Sequence, residues 1–76
     1  MEQKIKQDIH IGANIKEIRK ARKMKQVDLV AALQLKGVDI TREALVKIET
    51  EKQHIQASQL RAIRDALHTT YDELLK

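Results

Sequence analysis

Apolar residues recur at intervals of three and four in short blocks along this 76-residue sequence, and this spacing limits the fold more than any other feature. Two of the blocks are Ile11-Ile15-Ile18 and Leu60-Ile63-Leu67. Residues at such intervals share one face of an α-helix. Because the sequence has no proline and only two glycines, little interrupts the blocks. The pattern predicts a chain of short helices.

The first two predicted helices have recognisable ends. The first spans about residues 9–23, where the carboxylate of Asp8 can cap it. The second runs from about residue 26 to residue 35, and Gly37 then suits a left-handed helix cap. The apolar residues of this helix predict a wide buried face, formed by Val27, Leu29, Val30, Ala31 and Leu33. Residues 1–8 are expected to form a flexible N-terminal tail before a single domain, residues 9–76.

The other three predicted helices begin at capping residues. Thr41 caps the third, and Ser58 or the residue just before it begins the fourth. Thr70 and Glu73 fit a capping box, in which the threonine hydroxyl accepts the Glu73 N–H and the Glu73 side chain bonds back. The predicted fold is therefore all-α, a compact bundle of five short helices.

Composition argues against several classes of function. Without cysteine, and with three histidines that lack metal-ligand spacing, no metal and no cofactor is predicted. Tyr71 is the only aromatic residue, so proteins that stack bases on aromatic platforms are disfavoured. No stretch approaches the ~20 apolar residues of a membrane span, and no nucleophile motif or phosphate-binding loop occurs. We expect a cytoplasmic protein that is not an enzyme, with no membrane partner and no small-molecule ligand.

Positive charge is concentrated in the first third of the chain. Residues 1–25 carry eight cations and three acids, whereas residues 26–76 carry seven cations and eight acids. A basic block of this kind is the footprint expected for contact with phosphates. The alternative is a solvated helix face, and charge alone does not decide between the two.

Several segments, taken in order, resemble one family. They are Ile-Lys-Glu-Ile-Arg-Lys at 15–20, Gln26, Thr-Arg-Glu-Ala-Leu-Val-Lys-Ile-Glu at 41–49, and Tyr-Asp-Glu-Leu-Leu at 71–75. The set is similar to the helix-turn-helix domain of Cro and phage-repressor-like (XRE-type) transcription regulators. The resemblance implies a lambda-repressor-like fold with its helix-turn-helix at helices two and three. It also implies a bacterial or phage-encoded repressor that binds double-stranded DNA, commonly as a two-fold homodimer, at least on DNA. If the domain itself forms the dimer, Leu74, Leu75 and the surface of helices four and five are the candidates for the contact.

The third helix has the two faces that reading DNA requires. Its inner apolar side would anchor it to the core, while its outer side would enter the major groove. The candidates for DNA contact on this helix and its cap are Thr41, Arg42, Glu43, Val46 and Lys47. Arg42 suits a guanine, and Glu43 suits the amino group of a cytosine. In the alternative interpretation Glu43 and Lys47 form an ordinary i,i+4 pair on a solvated helix.

The resemblance also implies roles for residues outside the third helix. Gln26 would meet a phosphate through its side chain and backbone N–H, and Lys52 and Gln53 would grip the DNA backbone. Arg19 and Glu49 match positions that form an ion pair between the first helix and the end of the third. The alternative function for the same fold is a protein-interaction module, such as an antitoxin-like or antirepressor partner.

Two features depart from the family's pattern. The connection after the second helix is longer than usual, which predicts partial burial of Leu35, Val38 and Ile40. Lys23 and Glu51 occupy positions where the family often has glycine. If these turns keep a positive φ, each substitution costs about 1 kcal/mol.

Overall fold

The structure, a computed structural model that describes residues 9–76, contains five α-helices and no strand in that range. They are α1 (Ile11–Ala21), α2 (Gln26–Leu35), α3 (Arg42–Glu49), α4 (Ala57–Ala66) and α5 (Tyr71–Leu74). The predicted all-α fold is thus confirmed, although α1 is shorter at both ends than expected. The expected tail, residues 1–8, and its capping Asp8 lie outside the described residues. None of the described helices has the length and apolar character needed to cross a membrane.

A single apolar core joins the five helices. Helix α1 packs against α3 and α5, and α2 packs against α3 and α4. The largest fully buried side chains are Ile15, Leu29, Leu33, Ile40, Leu45, Ile63, Leu67 and Leu74. Removing this apolar surface from water stabilises the fold by roughly 25 cal/mol per Å². Because Leu45 and Ile48 hold the inner side of α3 in the core, the outer side of this helix is left at the surface.

Helix α2 buries a narrow face rather than the wide face predicted. Its buried residues are Leu29, Val30 and Leu33. Val27 is 53% exposed, Ala31 is exposed, and Leu35 is 90% exposed. These three residues recur at intervals of four, so they form one exposed stripe along α2, and Val27 at its start also lines a surface groove beside Arg42 of α3. The predicted burial of Val27, Ala31 and Leu35 is wrong, because the described helices cover only the side of α2 that carries Leu29, Val30 and Leu33.

The long connection between α2 and α3 is anchored to the core. Gly37 has φ +82°, and the N–H of Val38 bonds to the carbonyl oxygen of Leu33 at 3.0 Å, as in a Schellman motif. The predicted left-handed cap at Gly37 is therefore confirmed. Val38 is half-buried and Ile40 is 2% exposed, and the Gln34 side chain donates to the Ile40 carbonyl at 3.2 Å. The connection thus ends at a buried side chain directly before α3.

Three further helices end in the same left-handed turn without a glycine. Lys23 has φ +57°, Glu51 has φ +63° and His68 has φ +51°. At each turn the N–H of the next residue bonds to a carbonyl in the last helical turn. The turns at Lys23 and Glu51 thus keep the positive φ on which the expected cost depends, and His68 is a third case that the sequence pattern did not indicate.

We expect Lys23→Gly to raise the free energy of unfolding by about 1 kcal/mol, because a Cβ at positive φ is strained and glycine is not. Thermal unfolding followed by circular dichroism measures the change, which corresponds to roughly 4–8 °C in Tm. Lys20→Gly is the matched control, since Lys20 is exposed inside α1. There glycine should lower Tm through its poor helix propensity. A Tm that falls for both variants would contradict the strain at Lys23.

Two threonines cap helices through their side chains. The Thr41 hydroxyl accepts from the N–H of Ala44 at 3.1 Å, and the Thr70 hydroxyl accepts from the N–H of Glu73 at 3.2 Å. The reciprocal half of the predicted capping box is wrong. The carboxylate of Glu73 instead accepts from Lys76 Nζ at 3.2 Å, since the lysine follows within one turn.

Helix α5 is held against α1 by polar and apolar contacts. The amide nitrogen of Asn14 donates to the carbonyls of Leu74, at 2.9 Å, and of Lys76, at 3.0 Å. Leu74 is fully buried, whereas Leu75 is 38% exposed and Tyr71 is 37% exposed. The expectation that Leu74 belongs to a dimer surface is therefore wrong, because this side chain is part of the monomer core.

Candidate nucleic-acid interface

The starts of α2 and α3 meet at an open groove on the surface of the domain. The side chains that line it are Arg19, Lys25, Gln26, Val27 and Arg42. The first N–H groups of each helix have no partner within the helix, and they give its start a partial positive charge. Two exposed cationic side chains, Lys25 and Arg42, add to this charge, whereas the charge of Arg19 is paired with that of Glu49. The groove is therefore suited to anions such as the phosphates of a nucleic acid.

The outer side of α3 carries charges that form no ion pair with any other residue in the range 9–76. Arg42, Glu43 and Lys47 are exposed and Val46 is half-buried. None of the ion pairs formed within residues 9–76 includes Arg42, Glu43 or Lys47. The Glu43–Lys47 pair of the alternative interpretation is thus not formed. Thr41, by contrast, uses its hydroxyl to cap the helix. The outer side of α3 is left free to contact another molecule.

The loop after α3 places two more of the candidates at the far end of this helix. The N–H groups of Lys52 and Gln53 both bond to the carbonyl of Lys47, at 2.8 and 3.2 Å, and both side chains are exposed. Neither side chain lines the groove of Gln26 and Arg42. Both residues follow Glu49, which also accepts a hydrogen bond from Gln26. They therefore extend the candidate surface beyond the C-terminal end of α3.

The structure brings Arg19 and Glu49 together beneath the groove. Arg19 Nε donates to Glu49 Oε2 at 2.7 Å and Arg19 Nη2 donates to Glu49 Oε1 at 3.0 Å. Arg19 Nη1 also donates to the carbonyl of Met24 at 2.8 Å. The arginine side chain is 7% exposed and the glutamate side chain 1% exposed. This bidentate pair ties α1 to the last residue of α3 and, through Met24, to the approach to α2.

Gln26 joins the same buried carboxylate. Its side-chain nitrogen Nε2 donates to Glu49 Oε1 at 3.1 Å. Gln26 is the first residue of α2 and Glu49 is the last of α3, so this bond connects the two helices next to the groove. The sequence pattern did not indicate the bond, because the two residues are far apart in the chain.

Part of the basic block stabilises the fold rather than facing a ligand. Arg22 Nε donates to the carbonyl of Leu67 at 3.0 Å, and Arg22 Nη2 donates to that of His68 at 3.4 Å. These carbonyls lie at the C-terminal end of α4, where a cation is favoured. Arg19 is buried as well. The exposed cations of this region that the structure describes are Lys16, Lys20, Arg22, Lys23 and Lys25.

Gly12 is a positioning residue that the sequence reasoning missed. It is buried in the first turn of α1, and a Cβ there would overlap the carbonyl oxygen of Ile48. That Cβ would also lie 3.1 Å from the carbonyl of Glu49. Glycine therefore lets α1 approach the end of α3. A glycine within a helix, where propensity disfavours it, was the available signal.

A short helix with a free outer side, held across its back by a preceding helix, defines a helix-turn-helix DNA-binding domain. Comparison with known families agrees: a model described as helix-turn-helix, of the Cro/C1 type, matches residues 15–74. The chain belongs to this XRE-type family of DNA-binding transcription regulators. Among curated proteins and among solved structures, none matches the chain at a significant level.

Proposed function

We propose that this protein is a cytoplasmic repressor that binds double-stranded DNA sequence-specifically, with α3 in the major groove and no catalytic activity. The unpartnered charges on the outer side of α3, next to a cationic groove formed by two helix starts, carry the proposal. A helix of this diameter fits the major groove, where base edges present their donors and acceptors.

Four residues on the outer side of α3 suit different parts of a base pair. The Arg42 guanidinium can donate two bonds to O6 and N7 of a guanine, and Glu43 can accept from N4 of a cytosine. Val46 offers methyl groups to a thymine methyl, and Lys47 reaches a base edge or a phosphate. These contacts would decide which sequence is bound.

Phosphate contacts beside α3 would set the position of this helix in the groove. The backbone N–H of Gln26 is available at the start of α2. The exposed Lys52 and Gln53 extend from the loop that follows α3. Contacts of this kind orient a protein on DNA and carry no direct sequence information.

A titration against mixed-sequence duplex at several salt concentrations tests whether the protein binds DNA. We expect log K to fall with log salt by ~0.9 for each phosphate neutralised. Selection of bound duplexes from a random pool would then identify the preferred site. Absence of binding, or an affinity that does not change with salt, would contradict the proposal.

Arg42→Ala should reduce sequence specificity, whereas Lys52→Ala should leave it unchanged. We expect Arg42→Ala to cost about 1–3 kcal/mol on the preferred site and to relax the preference at one base position. Lys52→Ala should weaken all sequences alike and reduce the salt slope by about 0.9. Duplex selection followed by salt titration of both variants measures the two effects. An Arg42→Ala variant that keeps the full preference would exclude α3 as the reading helix.

We propose in addition that two copies bind one site with two-fold symmetry, as is common for helix-turn-helix domains. Tyr71, the first residue of α5, and Leu75, which directly follows this helix, are exposed apolar residues near the C-terminal end that are available for such a contact. A symmetric selected site with half-sites about one helical turn apart would support the dimer. A selected site without symmetry, bound by one copy in sedimentation, would contradict it.

A second candidate function is the binding of a protein partner. The stripe of Val27, Ala31 and Leu35 on α2 favours it, since exposed apolar residues in a row mark interaction surfaces. In that case Leu35→Lys would abolish partner binding, while the wild-type protein would show no salt-dependent affinity for duplex DNA. Salt-dependent binding to a defined site would favour the DNA-binding function instead.

A further inference from the structure

A second groove lies between the α2–α3 connection and α4. It is open to solvent and has a volume of about 500 Å³. Its walls include Lys36, Gly37, Val38, Arg61, Ala62 and Asp65. We call it the connection groove. It shares no residue with the groove of Gln26 and Arg42 or with the outer side of α3. A molecule bound in the connection groove would therefore leave the candidate nucleic-acid interface uncovered.

The connection groove has a net positive charge. Lys36 and Arg61 are exposed and form no ion pair or side-chain hydrogen bond within residues 9–76. Asp65, the acidic side chain of the groove, is already paired, because its Oδ1 accepts from Arg64 Nε at 3.0 Å. Asp39, an acid of the same connection, lines a neighbouring groove instead. The charges of Lys36 and Arg61 are therefore available to an anionic partner.

The other side chains of the connection groove are small and mostly apolar. They are Gly37, Val38, Ser58 and Ala62. Val38 is half-buried and Ala62 is 7% exposed, so both form part of the base of the groove. A Cβ on Gly37 would meet no atom within 4 Å, so the space beside this glycine is open. Apolar surface next to two unpaired cations suits a ligand that combines an apolar group with a carboxylate.

We propose that the connection groove binds an acidic segment of another protein, in which an Asp or Glu lies beside an apolar residue. The Arg61 guanidinium would donate to both oxygens of the carboxylate, and Lys36 would add a second charge. The apolar side chain would cover Val38 and Ala62. A DNA phosphate would meet the same cations but would gain nothing from the apolar base, so charge and apolar surface together favour a peptide. This interaction goes beyond the proposed function and does not depend on it.

Selection from short random peptides displayed on phage, with the wild-type protein as bait, tests the chemistry of the partner. We expect the bound peptides to share an Asp or Glu beside an apolar residue. A synthetic copy of the shared sequence should then shift the amide NMR signals of residues 36–38 and 61–65. Failure to select such peptides would overturn the proposal. Shifts confined to residues 25–27 and 42–47 would overturn it too, because the peptide would then occupy the candidate nucleic-acid interface.

Charge reversal tests the two cations. We expect Arg61→Glu and Lys36→Glu each to weaken binding of the synthetic peptide about tenfold or more, because like charges then face each other. Lys16→Glu is the matched control, since it changes the net charge equally at an exposed site on α1 and should change the affinity less than about twofold. Circular dichroism shows that each variant is folded. Equal losses in all three variants would overturn the proposal, because only overall charge would then matter.

Variants of the peptide test the same contacts from the partner's side. Replacing the carboxylate residue by lysine should abolish binding to the wild-type protein and restore binding to the double variant Lys36→Glu/Arg61→Glu. Replacing the apolar residue by glycine should also weaken binding, because Val38 and Ala62 are then left uncovered. A glycine variant that binds as tightly as the original peptide would overturn the role of the apolar base.

Titration with duplex DNA separates a protein partner from a phosphate. We expect Arg61→Glu to keep the salt slope of the wild-type protein. A slope smaller by about 0.9 would show that Arg61 neutralises a phosphate, and would overturn the proposal. A wild-type protein that binds no duplex would contradict the proposed function alone, since the peptide is measured on the free protein. A protein that binds duplex, but whose peptide binding is unchanged in Arg61→Glu and Lys36→Glu, would contradict only this proposal.

Discussion

Replacing Arg19 by alanine should lower the free energy of unfolding by about 3–5 kcal/mol, because it leaves a buried carboxylate without its charged partner. Glu49, with 1% of its side chain exposed, would keep only the bond from Gln26. A domain of this size is stabilised by about 0.05–0.15 kcal/mol per residue, so the loss is a large share of the total. We expect Tm, followed by circular dichroism, to fall by more than about 12 °C.

Two control variants show whether the unpaired charge is the cause. Lys20→Ala removes an exposed cation from the same helix and should change Tm little. The double variant Arg19→Met/Glu49→Leu removes both charges and should recover most of the stability lost in Arg19→Ala, since apolar replacements of a buried pair are often neutral. If Arg19→Ala melts within a few degrees of the wild type, the pair does not hold α1 to α3.

Local sequence signals were sufficient for the positions of the helices. The span of α2 and the threonine caps of α3 and α5 follow from residues next to each helix end. These local signals were not sufficient to predict which side of α2 is buried. Apolar residues lie almost all round this helix, so periodicity cannot choose a face, and only the placement of α3 and α4 leaves Leu35 90% exposed.

The candidate site was predictable as a set of residues but not as a network. The resemblance indicated Gln26, Arg19 and Glu49 separately, with Gln26 assigned to a phosphate and the other two to an ion pair. In the structure, one carboxylate oxygen of Glu49 accepts hydrogen bonds from both Arg19 and Gln26. This arrangement depends on where α1, α2 and α3 meet. Contacts between residues this far apart leave no local pattern in a single sequence.

Gly12→Ala should destabilise the protein by about 2–3 kcal/mol, although alanine is the better helix former. The added Cβ would overlap the Ile48 carbonyl and lie 3.0 Å from Cγ of Glu51. The Ile48 carbonyl also accepts the N–H of Glu51, at 3.1 Å, in the left-handed turn after α3. Backbone in a closed turn yields less readily than the end of a flexible side chain, so α1 must move away from α3.

Thermal unfolding of Gly12→Ala beside Ala13→Gly separates steric overlap from helix propensity. Ala13 is exposed in the same turn of α1, so Ala13→Gly should cost only the propensity difference, about 1 kcal/mol. Helix propensity alone would make Gly12→Ala raise Tm. A lower Tm for this variant therefore reports the steric overlap with α3. Because α1 must move, Gly12→Ala should also loosen the Arg19–Glu49 pair. The loss of unfolding free energy caused by Gly12→Ala should therefore be smaller in the Arg19→Met/Glu49→Leu variant, which lacks this pair. A Tm for Gly12→Ala at or above that of the wild type would mean that the end of α3 shifts freely, and that contact with α1 does not fix its position.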